Sequence, residues 1–188
     1  GTHRAGFAYD QLASSVGGDL RFANADQSQL LAHEVEWWNT NGSSAVWVQV
    51  PEITGTDTCI WAYWGNAAMT EPLPSTTNGM VWSEGFEGVW HFSGNANDSA
   101  NANHGTLIGD ASFSSLSVVG QALHLDGVGD FVDIVDNAAD FSRGITVEGW
   151  ARPEAYRNWS RIVDWGNGSG VDNIVFARRT TTPNGWRW

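Results

Sequence analysis

Short runs of β-type residues, separated by glycine, asparagine and aspartate, recur along most of the chain and constrain its fold more than any other feature. Residues 31–37 alternate apolar and polar side chains, which is the pattern of a half-buried strand. The Asn41-Gly42 turn predicts a returning strand at residues 45–50, and residues 58–64 predict a third strand of the same meander. The sequence predicts no amphipathic helix longer than about two turns.

The second half of the chain has the same organisation. Its predicted strands lie at residues 88–92, 105–108, 121–126, 130–135, 144–152, 161–165 and 173–177. This spacing of strands and turn residues is typical of β-sandwiches and jelly rolls. In the run at residues 144–152, we expect Val147 and Trp150 to lie on opposite faces of one strand.

A segment with two prolines and little periodicity, residues 68–80, separates the two sets of strands. We therefore predict two all-β domains. The first comprises residues 1–67, and the second comprises residues 81–188, with residues 68–80 as the linker between them.

Charge and composition exclude several classes of partner. The formal net charge is −12 and only 9 residues are Lys or Arg, so the chain has no basic surface for nucleic acid. The single Cys59 cannot form an intrachain disulfide. No apolar run reaches the roughly 18–20 residues that span a bilayer, so no membrane span is expected.

Tryptophan is the most over-represented residue type, with 12 copies. Aromatic side chains favour strands and the cores of sandwiches, so we expect most of them to be buried. Trp90 and Trp150 lie inside strand patterns and are predicted core residues.

Several motifs of the first half occur together in one known family. They are Gly18-Asp19-Leu20-Arg21-Phe22, Ala25-Asp26, Glu34-Val35-Glu36-Trp37, Val46-Trp47-Val48-Gln49-Val50-Pro51 and Tyr63-Trp64-Gly65-Asn66. With them, residues 5–67 resemble a bacterial domain of unknown function that precedes laminin-G-like domains in large secreted proteins. The family's opening aromatic and basic strand is absent, so we expect the first domain to be truncated at its start.

A series of motifs in the second half also occurs in a known family. They are Gly88-Val89-Trp90-His91-Phe92, Asp98-Ser99, Asn103-His104-Gly105-Thr106-Leu107, Gly120-Gln121-Ala122-Leu123, Leu125-Asp126-Gly127, Asp130-Phe131-Val132 and Ile145 to Pro153. With them, the second half is similar to the laminin-G-like, concanavalin A-like lectin and glucanase jelly roll. The resemblance implies an all-β chain in which a small β-sandwich-like module precedes an incomplete concanavalin A-like jelly roll. Because fewer residues follow the linker than such a domain needs, we expect the closing strands to be missing and the chain to be a fragment.

The sequence predicts no catalytic residues, and we expect the chain not to be an enzyme. Glycosidases of jelly-roll architecture need two carboxylates on one face of a strand, and hence a spacing of two or four residues. Asp130, Asp133 and Asp136 are spaced by three residues, as are Glu84 and Glu87. The histidines on predicted strands or within the family pattern are interpreted as structural: His33, His91, His104 and His124.

Calcium is the metal that the resemblance implies, at the rim of the jelly roll. Calcium takes six to eight oxygen ligands, which loops between strands can supply. The candidate ligands are Asp98, Asn101 and Asn103 in one loop and Asp126 and Asp130 in the next Asp-Gly turn. The alternative is that these are ordinary turn residues, chosen for backbone conformation.

Sugar binding would use exposed aromatic rings beside side chains that hydrogen-bond hydroxyl groups. Trp159, Asp164, Trp165 and Asn167 are the predicted ligand-binding residues. We therefore expect a secreted or cell-surface bacterial module that binds a glycan or an extracellular protein through the jelly roll. The alternatives are a purely architectural spacer and, third, a divergent glycan-processing enzyme.

Overall fold

The computed structural model describes residues 7–134, 141–155, 157–166, 174–178 and 186–187. In these ranges the secondary structure consists of short strands and single-turn 3-10 helices, with no α-helix. The predicted all-β class is therefore confirmed. None of the helices in the described ranges is long and apolar enough to span a membrane.

The chain forms two compact units, residues 1–139 and residues 140–188. The strands of the first unit are β1 Arg21–Ala23, β2 Leu30–Leu31, β3 His33–Trp37, β4 Ala45–Val48, β5 Trp61–Tyr63, β6 Gly105–Ile108, β7 Ser112–Ser114, β8 Ala122–His124 and β9 Phe131–Ile134. Its 3-10 helices are Tyr9–Gln11, Pro74–Thr76 and Met80–Trp82. The strands form a three-stranded sheet in the order β2-β1-β5 and three antiparallel pairs, β3-β4, β6-β9 and β7-β8.

The predicted meander of the first domain is wrong in one respect. β5 pairs with β1, with Phe22 opposite Ala62, whereas β4 pairs with β3 alone. The segment between β4 and β5 is long enough to carry the chain to a second sheet, and β1 is a three-residue strand without a clear alternating pattern. The sequence therefore gave no strong signal for the strand that β5 pairs with.

Two buried charged residues attach the turns around this sheet. The Asp19 carboxylate accepts hydrogen bonds from the backbone N–H groups of Ala13, Ser14 and Gly65, at 2.9, 3.0 and 2.6 Å. The Arg21 guanidinium donates to the carbonyl oxygens of Gly18 at 2.7 Å, Leu20 at 2.6 Å and Glu71 at 2.8 Å. Buried charges are stable only with such partners. The hydrogen bonds of Asp19 and Arg21 therefore hold residues 65–71 close to the start of β1.

The predicted linker lies within the first compact unit. β3 contacts both 3-10 helices between residues 74 and 82. The division into residues 1–67, 68–80 and 81–188 stays a prediction. The core of this unit is small, and its buried apolar side chains include Leu20, Ala23, Leu31, Val81 and Ala96.

The second unit contains an antiparallel sheet in the order β10-β11-β12, formed by Arg161–Trp165, Ile174–Arg178 and Trp186–Arg187. The 3-10 helix Phe141–Arg143 precedes this sheet, and the Phe141 ring contacts Trp165 at 5.4 Å between centroids. The predicted strand at residues 144–152 does not form, because the segment pairs with no strand. Trp150 is consequently 87% exposed, and its assignment to the core is wrong.

Candidate functional site

Two glutamates on β3 form the centre of the candidate site. Glu34 and Glu36 are two residues apart, so a regular strand directs both side chains to one face. The register with β4 shifts between Val35 and Trp37, so the pairing is irregular at Glu36. Irregularities such as β-bulges re-aim side chains and are common beside functional sites.

Both carboxylates accept hydrogen bonds from side chains on distant parts of the chain. Glu34 accepts from Trp82 Nε1 and from Ser99 Oγ, each at 2.6 Å. Glu36 accepts from Trp47 Nε1 at 2.6 Å and from Ser93 Oγ at 2.9 Å. The contacts with Trp82, Ser93 and Ser99 join β3 to residues 82–99, which lie beyond the predicted linker.

The imidazole of His91 lies between the two carboxylates. Its Nε2 is 3.5 Å from Glu34 Oε2, and its Nδ1 is 3.4 Å from Glu36 Oε2. The Glu34 side chain is 18% exposed, the His91 side chain 15% and the Glu36 side chain 4%. The imidazole therefore lies within 3.5 Å of a carboxylate oxygen on each side.

Aromatic rings surround this group. Trp47 stacks on His91 at 5.8 Å and 18°, and it contacts Trp82 at 5.3 Å. Trp82 also meets His91 at 5.6 Å and the edge of Phe86 at 5.2 Å. We call Glu34, Glu36, Trp47, Trp82, Phe86 and His91 the acidic–aromatic cluster. Trp47 remains 41% exposed and Phe86 47%, so part of the cluster is accessible to a ligand.

A cavity of about 280 Å³ adjoins the cluster and shares Glu34 and Trp82 with it. Most of its lining residues are polar: Ser75, Thr76, Thr77, Asn97, Asp98, Ser99 and His104 line it beside Val35, Gly79 and Val81. Its size would admit a small polar group or several waters.

The electrostatics of the cluster do not favour acid catalysis. Burial raises the pKa of Glu34, but the contacts with His91, Ser99 and Trp82 outweigh burial and leave the pKa below its ordinary value. A general acid of a glycosidase needs a raised pKa instead. Glu34 therefore lacks the raised pKa of such an acid.

The predicted calcium ligands in the 98–103 loop serve the loop itself. Asp98 is 5% exposed, and its carboxylate accepts from the backbone N–H groups of Val89 at 2.8 Å and Ala100 at 2.9 Å. The side-chain amides of Asn101 and Asn103 donate to the Glu87 carbonyl, at 3.1 and 3.5 Å. These bonds fit the alternative, in which the residues fix a turn.

The other two predicted calcium ligands meet a third acid. Carboxylate oxygens of Asp110, Asp126 and Asp130 lie within 4.8 Å of one another, and we call these three residues the aspartate triad. Asp130 accepts from the backbone N–H groups of Asp110 and Asp126, each at 2.9 Å. Asp98 is not part of this group. The predicted five-residue calcium site stays a prediction.

The predicted ligand-binding residues lie in the second unit. Trp159 is 57% exposed and precedes β10, whereas Trp165 ends β10 and packs on Phe141. Asp164 forms an ion pair with Arg161 at 2.7 Å, and Asn167 lies outside the described residues. The two tryptophans are therefore at opposite ends of one strand. The assignment of these residues to ligand binding stays a prediction.

Sequence reasoning missed the acidic–aromatic cluster, although one signal was present. Glu34 and Glu36 have the two-residue spacing that places carboxylates on one face, yet the alternating pattern predicted that this face meets solvent. Side chains from residues 82–99 cover the face instead. Sequence periodicity shows which residues share a face of a strand, but not whether a distant segment of the chain packs on that face.

Comparison with known families bears on the first unit. Residues 16–102 match the family model of a domain of unknown function (DUF2341). This confirms the predicted resemblance to a domain of unknown function, over a range that contains all of the acidic–aromatic cluster and crosses residues 68–80. No curated protein and no solved structure gives a significant match. The laminin-G-like jelly roll stays a prediction.

Proposed function

We propose that the chain is a bacterial extracellular binding or adhesion module, secreted or held at the cell surface, whose ligand is a glycan or an extracellular protein. The observation that carries the proposal is the placement of Trp47 in the acidic–aromatic cluster. Its indole N–H is held by Glu36 and its ring stacks on His91, while 41% of its surface stays exposed.

A ring held in this way loses little conformational freedom when a ligand binds. Preorganised aromatic surfaces are the usual anchors of binding sites, because they bury a large area at a small entropic cost. Phe86 extends the exposed aromatic surface, and the adjoining cavity supplies hydroxyl and amide groups. This combination suits pyranose rings and aromatic or aliphatic protein side chains.

Binding rather than catalysis is favoured by the state of the two acids. Glu36 is 4% exposed, and both of its oxygens accept hydrogen bonds from the protein. The Glu36 carboxylate therefore supports the surrounding rings instead of facing a substrate. A divergent glycan-processing enzyme remains the third proposal, with a purely architectural spacer as the second.

The test is binding of the full chain to an array of glycans and extracellular matrix proteins. We expect binding that Trp47→Ala weakens by about tenfold or more. Trp159→Ala is the matched control, since Trp159 is an exposed tryptophan of the second unit. An array with no ligand would support the spacer. Binding lost with Trp159→Ala but kept with Trp47→Ala would return the site to the predicted jelly roll.

We further propose that the aspartate triad holds calcium. Three carboxylates offer the hard oxygen ligands that calcium prefers, and backbone carbonyls and water would complete the coordination. The pKa of Asp110 is raised, chiefly by its hydrogen bond to Asp130 and by the charges of Asp130 and Asp126. A divalent cation would relieve this repulsion.

A further inference from the structure

We infer a second binding surface, for an uncharged, unbranched glycan, on the face of the first sheet that carries Trp61 and Tyr63. This surface lies on the β2-β1-β5 sheet, whereas the acidic–aromatic cluster is built on β3 and β4. The inference extends the proposed binding function to another surface and names the ligand class there.

The two rings lie side by side on β5. Because Trp61 and Tyr63 are two residues apart, they share one face of the strand, at a spacing of roughly 7 Å. Ala23 of β1 is opposite Trp61, and Arg21 is opposite Tyr63. Both β1 residues are buried, whereas Trp61 is 46% exposed and Tyr63 40%. The rings thus cover β1 and retain exposed surface.

Hydrogen bonds fix the polar end of each ring. Trp61 Nε1 donates to the Ala25 carbonyl at 3.0 Å, and the Tyr63 hydroxyl donates to Gln27 Oε1 at 2.6 Å. Both acceptors belong to the turn between β1 and β2. Rings that are fixed before binding give up little rotamer entropy when a sugar stacks on them.

The turn itself is well braced. Asn24 and Gln29 exchange hydrogen bonds, with the Asn24 N–H donating to the Gln29 carbonyl and the Gln29 N–H donating to Asn24 Oδ1, each at 3.1 Å. Asp26 Oδ1 accepts from the Ser28 N–H at 3.0 Å and from the Ser28 hydroxyl at 2.6 Å. Amides and carboxylates therefore border the two rings, where they can meet sugar hydroxyl groups.

The charge of the surface selects the ligand class. In β1, β2, β5 and the 24–29 turn, Arg21 is the sole basic residue, and its guanidinium is buried and donates to backbone carbonyls. Asp26 supplies an exposed negative charge, because hydrogen bonds from Ser28 lower its pKa. Acidic glycans would be repelled, whereas uncharged glycans would not. Two exposed rings on one face of a strand suit the apolar faces of neighbouring sugar rings in an unbranched chain.

The experiment is isothermal titration of the full chain with cellohexaose, chitohexaose and, as the charged comparison, hexagalacturonate. We expect binding of at least one neutral hexaose and none of hexagalacturonate. Trp61→Ala and Tyr63→Ala should each weaken neutral-hexaose binding by about tenfold or more, whereas Tyr63→Phe, which keeps the ring, should change it much less.

Trp64→Ala is the matched control, because Trp64 is a neighbouring exposed tryptophan that follows β5 and contacts Phe7 instead. Thermal unfolding of each variant shows whether it is folded. Absence of binding to both neutral hexaoses, or binding that survives Trp61→Ala and Tyr63→Ala in folded protein, would overturn the inference. Loss of hexaose binding with Trp47→Ala, but with neither Trp61→Ala nor Tyr63→Ala, would also overturn the inference. It would support the proposed function at the acidic–aromatic cluster.

Discussion

The two acidic groups of the first unit differ in what surrounds their carboxylates. In the acidic–aromatic cluster, Glu34 and Glu36 accept hydrogen bonds from indole and hydroxyl donors and flank His91. In the aspartate triad, Asp110 and Asp126 are exposed, and the three acids have mainly backbone amides and one another as neighbours.

The direction of each pKa shift follows from the neighbours of that acid. Donors outweigh the effect of burial and lower the pKa of Glu34, and the backbone N–H of Asp126 lowers the pKa of Asp130. The pKa of Asp110 is raised, chiefly by its hydrogen bond to Asp130. Acids that are supplied with donors can stabilise a fold without a cation. Acids that repel one another gain stability when a cation binds.

Removal of the Glu36 side chain should have the largest effect. Glu36→Ala leaves the part-buried Ser93 Oγ and the more exposed Trp47 Nε1 without their acceptor, which should lower the free energy of unfolding by about 2 kcal/mol. Urea unfolding of the full chain measures this value. Asp126→Ala is the control in the exposed triad and should cost much less. Equal costs would contradict the contrast between the two groups.

Acid should destabilise the chain through Glu34. Its pKa is lowered from 4.5, so its contribution to stability is complete above that value and is lost as the pH falls through the lowered pKa. We expect Glu34→Gln to reduce stability at pH 7 and to flatten the pH dependence below pH 4.5. Unfolding curves between pH 7 and about pH 3 measure both effects. If the pH dependence of stability below pH 4.5 were the same in Glu34→Gln, this account of Glu34 would be wrong.

His33 provides the control for the acid experiment. Burial lowers its pKa from 6.5, so the folded chain disfavours the protonated imidazole and stability should begin to fall below pH 6.5. His33→Leu should remove the loss of stability that begins near pH 6.5. It should leave the loss that Glu34 causes at lower pH unchanged. If His33→Leu also removed the loss of stability below pH 4.5, Glu34 would not be its cause.

Calcium should give a smaller, selective stabilisation. Because it binds the folded triad, excess calcium should raise the melting temperature relative to excess chelator. Asp110→Asn should abolish this rise. Asp98→Ala should lower the melting temperature but keep the calcium response, since Asp98 holds backbone amides of its own loop. A response that disappears with Asp98→Ala alone would place calcium in the 98–103 loop.

The sequence predicted those parts of the fold that depend on local pattern. The strand at residues 161–165 is β10 itself, and residues 105–108 are β6. The pairing of β5 with β1 was missed because a three-residue strand has almost no periodicity. The exposure of Trp150 was missed because a strand pattern buries side chains only when another strand pairs with it.

The candidate site was less predictable than the fold. Asp126 and Asp130 were identified because they flank an Asp-Gly turn, and the structure brings both into one triad. Asp110, the third residue of the triad, lies outside that turn, and nothing in the sequence around it indicated a metal site. Likewise, His91 reaches Glu34 and Glu36 across more than fifty residues of sequence, a contact that only the folded chain defines.

Hydroxyl-radical footprinting with a ligand from the array tests the central claim most directly. We predict that bound ligand protects Trp47 and Phe86 from oxidation, because these are the exposed rings of the acidic–aromatic cluster. Trp150 and Trp159, exposed in the second unit, should be oxidised equally with and without ligand. Protection of Trp159 together with unchanged oxidation of Trp47 and Phe86 would contradict the claim.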